Sequence, residues 1–144
     1  FVIRTKSIGV NPKRIKRFKD KVRRITRRNS GRELESIIKE LNPILRGWMN
    51  YYRVANIKSF TKDFMQWLRR RLRMVKMKQW KTYKAMHKEM RKLGIKGNGL
   101  RMAVTKWKNS NVHIIHQILP NKYFDDLDLI DIHKYEVGLL SNYY

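Results

Sequence analysis

Apolar side chains recur at helical spacing in three successive stretches: Ile15, Phe18, Val22 and Ile25; Leu34, Ile37, Ile38 and Leu41; then Phe60, Phe64, Trp67, Leu68 and Val75. Residues three and four apart share one helix face, so each stretch predicts an amphipathic helix with one side for a core. Asn11 is a good N-cap and Pro12 suits the first helical position. Ser30 and Glu33 have capping-box spacing ahead of the second stretch. Pro43 lacks an amide hydrogen and clashes with the preceding turn, which predicts a break at Asn42 and a new helix capped by Asn42-Pro43. In that helix Gly47 would let a neighbouring helix approach closely. Ser59 or Thr61 can cap the third long helix. A fourth is expected through "KTYKAMHKEMRKL", ending at Gly94, with shorter helices beyond it. Val2, Ile3, Ile8 and Val10 suggest a short extended segment, the edge of a sheet whose partner lies outside the chain. The expected fold is all-α: a bundle of three principal helices over residues 11–94, a smaller C-terminal helical region over 95–144, and an extended stretch at 1–10.

The remaining helix faces are cationic. Lys13, Lys16, Arg17, Lys19, Lys21, Arg23, Arg24, Arg27 and Arg28 surround the first apolar stripe, and Arg69, Arg70, Arg71, Arg73, Lys76, Lys78 and Lys81 crowd the third. The chain of 144 residues carries 35 Lys+Arg against 11 Asp+Glu, a net charge of +24. Up to Asn109 there are 33 basic and 6 acidic residues; from Ser110 onward there are 2 and 5. Such an excess repels itself unless a polyanion neutralises it, so the body is expected to bind nucleic acid and the tail is not. With neither a helix-turn-helix nor a zinc-finger pattern, RNA is favoured over sequence-specific DNA. No apolar run approaches the roughly 20 residues that span a bilayer. The absence of cysteine excludes disulfides and cysteine-ligated zinc, and a reducing cytoplasmic setting fits. Phe1 in place of an initiator methionine predicts a piece of a longer chain.

Four further patterns could carry chemistry. Trp48 and Trp67 fall within apolar stripes and are expected in the core, whereas Trp80, in "KMKQWKTYK", suits either packing or base stacking. "GIKG" at Gly94 to Gly97 spells a phosphate-clamping loop without its flanking elements. His113, His116, Asp131 and His133 lack the fixed spacing of a metal site and are expected as satisfied or exposed side chains. "YFDD" at Tyr123 to Asp126 spells the metal-binding pair of reverse transcriptases. No apolar strands flank it, so a helix after Pro120 is expected, with Tyr123, Phe124 and Leu127 packing and Asp125 and Asp126 facing water.

The order "NPKRIKRFKDKVRRITRRN", "LNPILRGWMNYYRV" and "FMQWLRRRLRMVKMKQWK" resembles the maturase domain, or thumb, of group II intron-encoded reverse transcriptases, with the specific match in Val10 to Lys81. Met77 departs from it, standing where many members place an aromatic or other large residue. The resemblance implies that 1–10 is the end of the palm, 11–94 the thumb and 95–144 a C-terminal extension. It also implies that this part is non-catalytic, with the polymerase chemistry and its magnesium upstream. The implied partners are group II intron RNA, a template–primer and the upstream palm and fingers. The implied role is assistance to intron folding, splicing and retrohoming in a ribonucleoprotein. The rival expectation is a stand-alone basic structural protein of a ribonucleoprotein.

Overall fold

The computed structural model describes residues 2–4, 7–28, 31–79, 88, 91–92, 116 and 119–138. Three helices dominate: α1 (Pro12–Ile25), α2 (Leu34–Tyr52) and α3 (Lys58–Gln79). Two short strands, β1 (Val2–Arg4) and β2 (Ser7–Gly9), precede them, and a short helix α4 (Asn121–Asp126) and a 3-10 turn (Ile132–Lys134) follow. The expected all-α bundle with small C-terminal elements is what forms. Of the expected fourth helix only residues 88 and 91–92 are described, and they are helical; the Gly94–Gly97 loop, Trp80 and His113 lie outside the described residues.

The N-terminal segment, expected to pair outside the chain, pairs with itself. β1 and β2 are antiparallel, with Val2 opposite Gly9, Ile3 opposite Ile8 and Arg4 opposite Ser7. Two residues separate the strands, the commonest loop length for a hairpin. Val10 then enters the core.

α1 begins as its sequence predicts, with the Asn11 side chain accepting from the Lys13 amide at 2.9 Å and Pro12 in the first turn. α2 departs from expectation in three ways. Glu33 occupies the N-cap without a side-chain cap bond. Gly47 faces open space, so no helix approaches it among the described residues. And α2 runs unbroken through Pro43.

A proline inside a helix costs about 3 kcal/mol, and two observations explain its tolerance here. Pro43 shares an exposed stripe with Lys39, Gly47 and Asn50, where water can reach the carbonyl left unpaired. On the opposite face Ile37, Ile38, Leu41, Leu45 and Met49 are all buried, so one continuous helix keeps both halves of the stripe in the core. Asn42, expected as a cap, instead reaches the distant C-terminal segment. Its Nδ2 donates to the Asp128 carbonyl at 2.8 Å and its Oδ1 accepts from the Ile130 amide at 3.0 Å. α3 starts at Lys58, one residue ahead of Ser59; Thr61 lies within it, its hydroxyl donating back to the Lys58 carbonyl.

The centre of the bundle is aromatic. Phe18 of α1 stacks on Trp48 of α2 at 4.5 Å and on Phe64 of α3 at 4.8 Å, so one ring joins all three helices. Trp48 also meets Tyr52 and Phe60, and Phe64 meets Trp67. Aromatic pairs add about 0.5 to 1.5 kcal/mol beyond area burial and have preferred geometries, which fixes the mutual orientation of α1, α2 and α3. Met77, the departure from the family pattern, is buried.

Residues 119–138 complete the same core, with Leu119, Phe124, Leu129 and Ile132 buried in it. Arg53 Nε donates to the Glu136 carbonyl, and the Gly138 amide is shared between the Arg53 and Ala55 carbonyls at 2.9 and 2.8 Å. Gly138 makes this contact at φ 71, where a side chain would be strained.

Candidate nucleic-acid interface

The basic residues separate into two groups once the helices pack. Along α1, Phe18, Val22 and Ile25 turn inward, which leaves Lys13, Lys16, Arg17, Arg23 and Arg24 exposed, with Arg27 exposed just past its end. Asp20 is the only acid on this helix, and it lies 2.7 Å from Arg23 on the surface. The other exposed cations therefore face solvent as a nearly unopposed positive surface. Arg28 is half-buried, and its Nε is enclosed without a partner among the described residues.

α3 behaves differently. The run Arg69 to Arg73 reads as one phosphate-gripping row, yet only Arg70 of its four arginines is exposed. Arg69 is 8% exposed and its Nη2 lies 3.0 Å from Asp131 Oδ2. Arg73 is 4% exposed; its Nε donates to the Leu119 carbonyl at 2.8 Å and its Nη2 to Asn121 Oδ1 at 2.9 Å, with the guanidinium over the Phe124 ring. Burial, and secondarily the neighbouring charge of Arg69, push Arg73 down to about 10, still charged at neutral pH. Arg71 is half-buried, with Nε donating to Thr26 Oγ1 at 2.8 Å and Nη2 reaching the Arg23 and Thr26 carbonyls. Its pKa is lowered by burial and then by Arg23. The expectation of one exposed row at Arg69 to Arg73 is thus corrected: Arg69 and Arg73 fasten the C-terminal segment to α3, and Arg71 joins α3 to the end of α1. A buried guanidinium has several donors to satisfy: Arg73 uses the Leu119 carbonyl and the Asn121 amide oxygen, whereas Arg69 reaches only the Asp131 carboxylate and its Nε is enclosed without a partner among the described residues. Further along, Lys76 is half-buried and Lys78 exposed, while Lys81 lies outside the described residues.

Trp67 sits where the two groups meet. It is half-buried against the core, with Lys19, Arg23 and Arg71 at 5.3 to 5.5 Å from its ring centre. Cations over an indole are held by its quadrupole, so Trp67 organises positive charge from α1 and α3 around one point. Trp48 stays on the core side, as expected.

Beside Trp67 opens a groove of about 570 Å³. One wall is a single face of α3, with Asp63, Gln66, Trp67 and Arg70 at successive helical spacing; Arg69 and Arg73 reach it from within. His116 and Asn121 form the other wall. The helical spacing of Asp63 and Gln66 with Trp67 and Arg70 on α3 is the one signal of this wall in the sequence; nothing local could place His116 and Asn121 opposite.

Of the acidic and histidine patterns, Asp125, Asp126, Asp131 and His133, besides His116, are the members whose surroundings are described. Phe124 is fully buried while Asp125 and Asp126 are exposed on the six-residue α4. The His133 ring meets Thr61 Oγ1 at 3.2 Å, and Asp131 Oδ1 accepts from the His133 amide. Among the described residues no three His, Cys, Asp or Glu side chains gather as a metal site, and no helix is long and apolar enough to cross a membrane.

A family model described as group II intron, maturase-specific domain, matches residues 15–94. It takes in most of α1 and all of α2 and α3, and stops short of the segment at 119–138. Comparison with curated proteins gave no match.

Proposed function

The chain belongs to the family of group II intron maturase-specific domains, and from that premise we propose that it assists intron splicing by gripping intron RNA through phosphates. The observation that carries this reading is the exposed row of Lys13, Lys16, Arg17 and Arg24 on a helix locked to the bundle by Phe18, continued by exposed Arg27 just past its C-cap. Such a row neutralises crowded phosphates and lets separate RNA segments come together, while the RNA supplies the splicing chemistry. The same rigid bundle suits a thumb that orients a template–primer duplex beside the palm of a parent reverse transcriptase, as retrohoming requires. Magnesium would serve that upstream palm.

Binding of structured RNA measured against salt concentration tests the mechanism. Neutralising about six phosphates predicts a log–log slope of about −4 to −5; a nearly flat dependence would refute it. Substituting Lys16, Arg17, Arg24 and Arg27 together with Gln is expected to weaken binding at least tenfold and make the slope shallower by about 3 to 4. These side chains are exposed, so the thermal midpoint should move little. Retained affinity in this variant would move the interface off α1.

A further inference from the structure

The groove beside Trp67 contains a feature that phosphate binding does not explain. Asp63 places a carboxylate on its wall, and among the described residues it makes no ion pair or hydrogen bond. In a surface built to attract phosphates, an unneutralised acid on the path of the backbone is repulsive. A carboxylate is an acceptor only, so the groups it favours are N–H donors. Gln66, one turn along and likewise without a hydrogen bond among the described residues, adds an amide that both donates and accepts. Asn121 uses its Oδ1 to receive Arg73 and keeps its NH2 for another partner.

Size narrows the ligand further. A groove of about 570 Å³ lies within the roughly 300 to 1,000 Å³ of small-molecule sites. It can take one nucleotide and cannot take a duplex. The half-buried indole of Trp67 offers an apolar wall, and exposed Arg70 supplies positive charge at the rim. An aromatic surface, an acceptor for base N–H groups and a nearby cation are the parts that recognise an unstacked base in single-stranded RNA.

We propose that the groove between α3 and the chain leading into α4 receives a single unpaired nucleotide of the bound RNA, with guanine preferred. Guanine alone among the standard bases presents two adjacent N–H donors, N1–H and the exocyclic amino group, along its Watson–Crick edge, matching the two oxygens of the Asp63 carboxylate. Arg70 holds the flanking phosphate. The proposal rests on the RNA-binding reading and adds base selectivity to it.

The test uses the whole chain and hairpin RNAs with one common stem: blunt, with an overhang of uridines, or with the same overhang carrying one guanosine or one inosine. Fluorescence anisotropy is expected to show the guanosine overhang bound about tenfold tighter than the uridine one. Inosine, lacking the exocyclic amino group, should fall between them. Asp63→Ala should erase most of the difference, while binding of the blunt stem stays the same or strengthens slightly. Equal affinity for guanosine and uridine overhangs in the parent, or Asp63→Ala tightening every probe alike, would overturn the groove assignment and leave phosphate gripping intact. Failure of the parent to bind even the blunt stem would overturn the RNA-binding reading, and the groove assignment with it.

Discussion

Phe124→Ala is expected to lower the unfolding free energy by about 3 to 5 kcal/mol, the cost of truncating a fully buried aromatic. Phe124 has no exposed surface, and its ring lies against the Arg73 guanidinium at 5.3 Å. Truncation therefore leaves a cavity and also removes the surface that covers a buried charge. The expectation discriminates between two architectures. If residues 119–138 were an appendage, losing Phe124 would leave the unfolding of α1 to α3 unchanged. Because Leu119, Phe124, Leu129 and Ile132 share one core with the three long helices, a single transition should shift as a whole, by roughly 10 °C in thermal midpoint. A parent-like midpoint would show that this segment does not belong to the cooperative unit.

Arg69→Met should be of similar size, for an electrostatic reason. The Arg69 and Asp131 side chains retain only 9% and 14% of their exposure, and they meet at 3.0 Å. Removing the cation strands a mostly buried carboxylate, which typically costs about 3 to 5 kcal/mol. Adding Asp131→Asn to Arg69→Met should recover more than half of that loss, since the amide oxygen can still accept from the His133 amide and no buried charge remains. Denaturant midpoints of the two single variants and the double variant measure the coupling. A loss below about 1 kcal/mol in Arg69→Met would place the pair among surface ion pairs such as Asp20–Arg23, whose worth is about 0 to 1 kcal/mol.

Much of the bundle is legible along the chain because helix faces are a local property. Phe18, Val22 and Ile25 announce the buried side of α1, and Asn11-Pro12 its start, through contacts within a few residues. Pro43 misled for the same reason: local chemistry forecasts a break, while burial of Ile37, Ile38 and Leu41 on one side and Leu45 and Met49 on the other outweighs it. The N-terminal hairpin is not legible along the chain, because the short apolar runs at Val2–Ile3 and Ile8–Val10 say that extended segments exist without saying which strand each pairs with.

The candidate site divides along the same line. The helical faces, the surplus of positive charge with its concentration before Ser110, and the order of segments that marks the family depend on residue type and near-neighbour spacing alone. Which cations stay at the surface is set by packing between distant segments. Arg69, Arg70 and Arg73 lie within five positions of one another on α3, yet Asp131, Leu119 and Asn121 arrive from more than forty residues away to enclose the first and last and leave Arg70 at the surface. The groove has the same origin, since His116 and Asn121 meet the α3 face only after the chain returns. A guanidinium's solvation depends on what folds over it, and helical periodicity carries no information about segments that distant.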